Sequence, residues 1–207
     1  MVFSICSNFH LFKSQSIDWL FYTLDLLYTH YHSIFNVMPK PISPPTALMN
    51  LAITGHAKAQ FDLAELYMQS EHEDDNILAE QWALKSAENG YVEAMYWIGE
   101  GYTVYAKEVQ EENSEEAKTY FELAYYWLNQ ASLQKHASAT LELAGYYRRG
   151  DVVEKDITKS IHYVTQAAEL GDIQAMRDLA CIYEHGLGID IDEEKADFWS
   201  LKAKQFS

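Results

Sequence analysis

Basic residues are scarce in this chain of 207 residues: 15 lysines and arginines stand against 31 aspartates and glutamates, for a formal net charge of −16. Nucleic acids and anionic membrane surfaces attract proteins through lysine and arginine side chains. The composition therefore disfavours both as partners. It predicts that a protein partner, if there is one, is basic.

Cysteine is scarce as well. Cys6 and Cys181 lie near opposite ends of the chain, and no Cys-x-x-Cys or Cys/His spacing typical of a zinc site occurs. We therefore expect no metal, no other cofactor and no disulfide framework. A reducing compartment is the simpler interpretation of two separate thiols, so the expected location is the cytoplasm.

The N-terminal segment, residues 1–45, lacks the features of a membrane span or a signal peptide. Its apolar stretch 19–37 contains Asp25, His30, His32 and Asn36, which makes it too polar for a clear transmembrane helix. No basic region followed by a clean apolar run and a cleavage site precedes it. Three interpretations stay open: a helix covering the first repeat, a peripheral membrane anchor, or a true translation start at Met38. The rest of the chain, 46–207, is predicted to be one repeat array.

An internal period runs through that second part. Tyrosines recur at spacings of 35, 45 and 36 residues, at Tyr67, Tyr102, Tyr147 and Tyr183. An alanine eight residues earlier keeps the same steps, at Ala59, Ala94, Ala139 and Ala175. A later aromatic column comprises Trp82, Trp127, Tyr163 and Trp199. Several columns with one common step predict a repeat protein.

Each repeat has the pattern of two helices. Apolar or small residues at offsets 0, 4, 5 and 8 from the alanine fall on one face of a first helix. The residue at offset 5 is always small, which allows a close helix neighbour. An aspartate precedes each of three second helices as a predicted N-cap: Asp75, Asp156 and Asp192. Gly90 and Gly171 mark helix ends. Such pairs bury their apolar faces only by stacking, which predicts an α-solenoid.

The last repeat carries a family resemblance. Its matching residues are Ala175, Leu179, Tyr183, Gly186, Gly188, Ile189, Asp192, Lys195, Ala196, Trp199 and Ala203. This pattern resembles the Sel1-like repeat, a relative of the tetratricopeptide repeat. The resemblance implies an all-α fold, an α-solenoid of about four Sel1-like helix-turn-helix repeats. It also implies a function in assembling other proteins, because most family members are adaptors.

The second repeat departs from the pattern by about ten extra residues between Tyr102 and Trp127. Asn113 and the glutamate three residues later form a predicted capping box for a second helix that continues to Lys135. Two interpretations of this extension stay open. It packs on an adjacent turn or on the N-terminal segment, or it presents a protruding aromatic contact surface that includes Tyr120 and Tyr125.

A candidate binding surface follows from the first helices, which line the concave side of solenoids of this kind. Offset 3 places Asp62, Trp97, Glu142 and Asp178 away from the buried face, and offset 6 places Glu65, Glu100, Gly145 and Cys181 there. The predicted groove is therefore acidic and contains one tryptophan. We expect it to bind a basic segment of a partner protein through charge and cation–π contacts.

Signals of catalysis are weak. Ser132 and Lys135 fit the S-x-x-K pattern of β-lactamases, but its companion motifs are absent, as are H-E-x-x-H and G-x-S-x-G. The sequence thus predicts a non-catalytic scaffold or adaptor. The alternatives are an immunity-type protein that neutralises a basic toxin, and a β-lactamase-like hydrolase. The oligomeric state is not predicted.

Overall fold

The computed structural model describes residues 43–70 and 72–206, and this part of the chain consists of α-helices without a β-strand. The helices are α1 (Thr46–Ile53), α2 (Ala57–Met68), α3 (Glu73–Glu88), α4 (Val92–Val109), α5 (Ser114–Leu133), α6 (Ala137–Arg149), α7 (Ile157–Glu169), α8 (Ile173–His185) and α9 (Glu193–Gln205). The interpretations of stretch 19–37 concern residues outside the described part.

The helices after α1 form four consecutive pairs, and each helix packs on the next along the chain. We call α2, α4, α6 and α8 the first helices and α3, α5, α7 and α9 the second helices. This arrangement confirms the predicted all-α solenoid of about four helix-turn-helix repeats.

Two of the three predicted aspartate caps are confirmed. Asp156 accepts a hydrogen bond from the backbone N–H of Lys159 at 2.9 Å, and Asp192 accepts one from Lys195 at 3.0 Å. The prediction for Asp75 is wrong, because the chain enters α3 two residues before it. Asp75 instead lies buried in the first turn and accepts a hydrogen bond from the hydroxyl of Ser70.

The turns between repeats share one backbone conformation. Gly55, Gly90 and Gly171 have φ angles of 89°, 91° and 101°, in the left-handed region that glycine tolerates best. The second repeat has Lys135 at the equivalent place, with φ 66°. The glycines predicted to end helices are therefore confirmed at these positions, and Lys135 adopts the same conformation with a side chain.

The buried apolar residues form two clusters, a larger one that extends from α1 into α6 and a smaller one that joins α6 to α9. Trp82 belongs to the first cluster and is 1% exposed, whereas Trp199 belongs to the second and is 9% exposed. Trp127 is only partly buried. The small residue at offset 5 has the predicted role in α4, where Gly99 lies against Leu128 of α5.

The extension of the second repeat is shared by both of its helices. Helix α4 has 18 residues and α5 has 20, whereas each helix of the last two repeats has 13. Asn113 caps α5 as predicted, by accepting from the backbone N–H of Glu116 at 3.2 Å. The rings of Tyr105 and Tyr120 meet edge to face with centroids 4.6 Å apart. The additional turns of α5 thus pack on the additional turns of α4.

Candidate functional site

The first-helix face is defined here by the acidic and tryptophan side chains of the predicted groove: Asp62 and Glu65 on α2, Trp97 and Glu100 on α4, Glu142 on α6, and Asp178 on α8. Glu65 and Glu100 are exposed, and the other four are half-buried. The structure therefore presents all six side chains at least partly to solvent, on the first helix of each successive repeat.

Two carboxylates of this face have partners on their own helix. The ammonium of Lys58 donates to both carboxylate oxygens of Asp62, at 2.7 and 2.9 Å. This hydrogen bonding raises the pKa of Lys58 above its usual value, and the nearby charge of Glu65 acts in the same direction. At the other end of the array, the side-chain amide of Gln174 donates to Asp178 at 2.7 Å. These two carboxylates are partly satisfied without a partner protein.

Glu65, Glu100 and Glu142 differ in that none of them is paired with a cation of the described chain. None of the ion pairs found in residues 43–70 and 72–206 includes any of these three carboxylates. Their negative charge on this face is therefore not cancelled by direct contact with a cation of the described chain.

Tyr96 lies near the acidic side chains of two repeats, Glu100 and Glu142. The pKa of its hydroxyl is raised to about 12, chiefly by burial and also by the nearby charges of Glu100 and Glu142. Its ring stacks on His136 with centroids 4.5 Å apart. Tyr96 thus lies between α4 and α6 beside both carboxylates. The sequence analysis did not select it, although its offset of 2 also points away from the buried face.

A cleft separates α2 from α4 on the same face. Its volume is about 300 Å³, and its lining residues are Phe61, Glu65, Met68, Gln69 and Trp97. Phe61, Glu65 and Met68 follow helical spacing on α2, so they form one stripe along that helix, and Gln69 is its C-cap residue. Trp97 supplies the opposite side. Trp97 and Glu65, which were predicted to lie on one surface, both border this cleft.

At offset 6, the third repeat has Gly145 where the first two repeats have glutamates. A side chain at Gly145 would meet the guanidinium of Arg149, since a Cβ there would lie 2.9 Å from one of its terminal nitrogens. Arg149 also lies 5.3 Å from the centroid of the Tyr146 ring and forms an ion pair with Asp151. This cation was not predicted, because nothing in the repeat pattern indicates the direction of the arginine side chain.

The predicted aromatic contact surface on α5 needs correction. Tyr120 is 7% exposed and packs between α5 and α4, so its assignment to an open contact surface is wrong. Tyr125 is half-buried, and its hydroxyl lies 3.2 Å from that of Tyr147 on α6. Burial raises the pKa of Tyr125, and the hydrogen bond to Tyr147 adds to the effect. Both tyrosines therefore join helices within the array, whereas Tyr126 is the exposed aromatic residue of α5, at 53%.

Other kinds of site find little support in the described residues. The hydroxyl of Ser132 lies 2.9 Å from that of Thr140, which in turn donates to the backbone carbonyl of His136. No group of three or more metal-ligating side chains is arranged around a common point in residues 43–70 and 72–206. None of the helices in the same part of the chain is long and apolar enough to span a bilayer.

The stacked helix pairs define the class of protein: it is a helical repeat protein of the solenoid type. A family model described as Sel1 repeat matches four consecutive segments, residues 57–91, 92–136, 137–172 and 173–205. Each segment coincides with one first helix and one second helix. The chain therefore belongs to the Sel1 repeat family, whose repeats are generally protein-interaction modules.

Relatives and solved structures agree with this assignment. The human protein sel-1 homolog 2 is 31% identical over 139 residues, which are 67% of this chain and 19% of that protein. The chitin synthase regulator SKT5 of Saccharomyces cerevisiae is 42% identical over 80 residues, 37% of this chain and 11% of that protein. This chain thus spans less than a fifth of the length of either relative.

Two crystal structures show the same fold. A Sel1 repeat protein from Oxalobacter formigenes superposes with a TM-score of 0.63 at 26% identity, covering 76% of this chain and 61% of that one. The protective antigen c5321 of uropathogenic Escherichia coli superposes with a TM-score of 0.65 at 27% identity, covering 79% and 33%.

Proposed function

We propose that this protein is a non-catalytic scaffold or adaptor, and that its first-helix face binds a basic segment of a partner protein. The observation that carries the proposal is the set of carboxylates at Glu65, Glu100 and Glu142, which form no ion pair with the described residues. Placed on successive repeats, they offer a row of separate contacts to an extended chain.

The energetics of such a surface favour recognition by several contacts together. A single exposed ion pair contributes about 0.2–1 kcal/mol, so no one carboxylate provides useful affinity. A row of them accelerates association with a positively charged segment and makes binding sensitive to salt. Trp97 adds a large, rigid side chain of the type that dominates many interfaces.

A reducing compartment suits the proposal. Cys181 is an exposed free cysteine on α8, three residues from Asp178 of the first-helix face. An exposed thiol persists most readily in the cytoplasm, which is the location we propose.

The proposal is tested by comparing two charge-reversal variants of the full chain in affinity capture from the source cells. The test variant is Glu65→Lys with Glu100→Lys, on the first-helix face. The matched control is Glu88→Lys with Glu169→Lys, which introduces the same charge change at exposed positions at the ends of α3 and α7. The proposal expects a basic protein to bind the unmodified chain and the control, and to be lost from the test variant.

A salt series completes the comparison. If attraction between charges dominates, binding of the captured protein weakens steadily as ionic strength rises. Equal capture by the test variant and the control contradicts a role for the first-helix face. Recovery of no protein by the unmodified chain contradicts the adaptor function itself.

A further inference from the structure

The cleft between α2 and α4 combines an apolar surface with a charged one. Phe61, Met68 and Trp97 give it apolar and aromatic walls, and Glu65 places an exposed carboxylate at its border. Met68 remains 37% exposed although it is a large apolar side chain. An open apolar cleft beside an uncompensated charge suits a ligand that is itself both apolar and charged.

The one lysine of α2 does not occupy this position as a partner of Glu65. Lys58 precedes Glu65 by seven residues on α2, but its ammonium is held by both oxygens of Asp62, at 2.7 and 2.9 Å. Since those hydrogen bonds fix Lys58 on Asp62, the carboxylate of Glu65 remains available to a cation from outside.

We propose that this cleft is a pocket for a single arginine side chain of the partner's basic segment. The inference rests on the proposed function of the first-helix face and names the residue type that anchors the partner there. The aliphatic stem of the arginine lies against Phe61 and Met68, its guanidinium stacks on the indole of Trp97, and Glu65 accepts its hydrogen bonds. This arrangement uses every property of the side chain: apolar stem, flat delocalised charge and several donors.

Arginine fits these walls better than the other candidates. A lysine ammonium is more strongly hydrated than a guanidinium and does not stack, so it gains less from an indole face. Most pockets for small molecules range upward from about 300 Å³ and enclose their ligand. The cleft, at about 300 Å³, is at the lower end of that range and is open to solvent, which suits a side chain of a bound segment better than an enclosed cofactor.

The test is a titration followed by the indole N–H signals of the tryptophans in the full chain, labelled with nitrogen-15. The Trp97 signal is identified by its loss in Trp97→Phe. The probe is the capped peptide acetyl-(Gly-Arg)4-amide, with (Gly-Lys)4 and (Gly-Glu)4 versions as controls. We expect the Trp97 signal to shift to saturation with the arginine peptide, and to require a severalfold higher concentration of the lysine peptide. The glutamate peptide should leave it unchanged.

Variants separate the pocket from the face as a whole. Glu65→Gln should lower the affinity for the arginine peptide by up to about fivefold, the upper limit for one exposed ion pair, whereas Glu88→Gln, at an exposed position on α3, should leave the affinity unchanged. Shifts at the backbone amides of Glu142 and Asp178, without a shift at Trp97, would refute the pocket and leave the proposed binding face standing. No shift at Trp97, Glu142 or Asp178 at millimolar peptide would overturn both.

Discussion

Gly99 marks a close approach between α4 and α5. A Cβ at Gly99 would lie 2.7 Å from Cγ of Leu128, 3.0 Å from its Cδ2 and 3.2 Å from its backbone nitrogen. Ordinary contacts between carbon atoms are about 3.5–4.0 Å. Gly99→Ala must therefore move Leu128 or separate the helices. Leu128 itself is fully buried, which leaves its side chain little room to adjust.

The magnitude follows from two opposing terms. Overpacking of a buried site costs about 1–3 kcal/mol, whereas replacing a glycine inside a helix by alanine gains about 0.8–1 kcal/mol. Gly101 provides the matched control on the same helix, since a Cβ there would meet nothing within 4 Å. Gly101→Ala should therefore stabilise the protein by nearly the full helix-propensity gain. The difference in unfolding free energy between the two variants should be about 1–3 kcal/mol, with Gly99→Ala the less stable.

Urea unfolding followed by circular dichroism measures this difference directly, provided that the m-values of the two variants agree. A double variant with Leu128→Ala adds a further check. Removing the Leu128 side chain relieves the closest contacts, so Gly99→Ala should cost less in that background. Equal stabilisation by Gly99→Ala and Gly101→Ala would refute the close approach of α4 and α5.

Three further predictions concern single sites. Glu80 is 7% exposed, and burial raises its pKa to about 7. Its ionisation therefore opposes folding, and the free energy of unfolding should fall by about 3 kcal/mol at most as pH rises from about 4.5 to 7. Glu80→Gln should remove most of this loss in unfolding curves measured at pH 5 and pH 8. Lys135→Gly should raise the unfolding free energy by about 0.5–1 kcal/mol, because Lys135 has φ 66°. Gly90→Lys at the equivalent turn should lower it by a similar amount. A fall for Lys135→Gly or a rise for Gly90→Lys would contradict backbone strain at this turn. Trp82→Ala should cost about 3–5 kcal/mol, and Trp127→Ala clearly less, because Trp82 is 1% exposed and Trp127 only partly buried; equal losses in melting experiments would show that burial does not set the order.

Much of the fold was predictable because the same residue types recur at the same structural positions in successive repeats. A small residue at offset 5 and a tyrosine at offset 8 recur in all four repeats, and glycine recurs at the turns between repeats except at Lys135, so the pattern is visible above chance. Asp156 and Asp192 were predicted as caps because their turns contain the same elements. Asp75 was also predicted as a cap, and that prediction failed because the turn before it has no glycine and the chain enters the helix earlier.

The candidate site was predictable only in part. Helical periodicity predicts which side of a helix faces solvent, and this placed Glu65 and Trp97 correctly on exposed or half-exposed positions. It does not predict which long side chain bends toward which carboxylate, so the pairing of Lys58 with Asp62 is visible only in the structure. Tyr120 was misplaced for a related reason: the pattern indicated a long α5, but not the equally long α4 that covers it.

The long hairpin of α4 and α5 also bears on how the array assembles during folding. Its two helices are joined by only four residues, 110–113, and they bury the rings of Tyr102 and Tyr120 against each other. Contacts that are close along the chain form early, and repeat arrays begin to fold wherever a local unit is most stable on its own. The second repeat is therefore the expected nucleus, from which order spreads to both sides. The repeat that departs most from the common pattern would then be the one that starts the folding of the others.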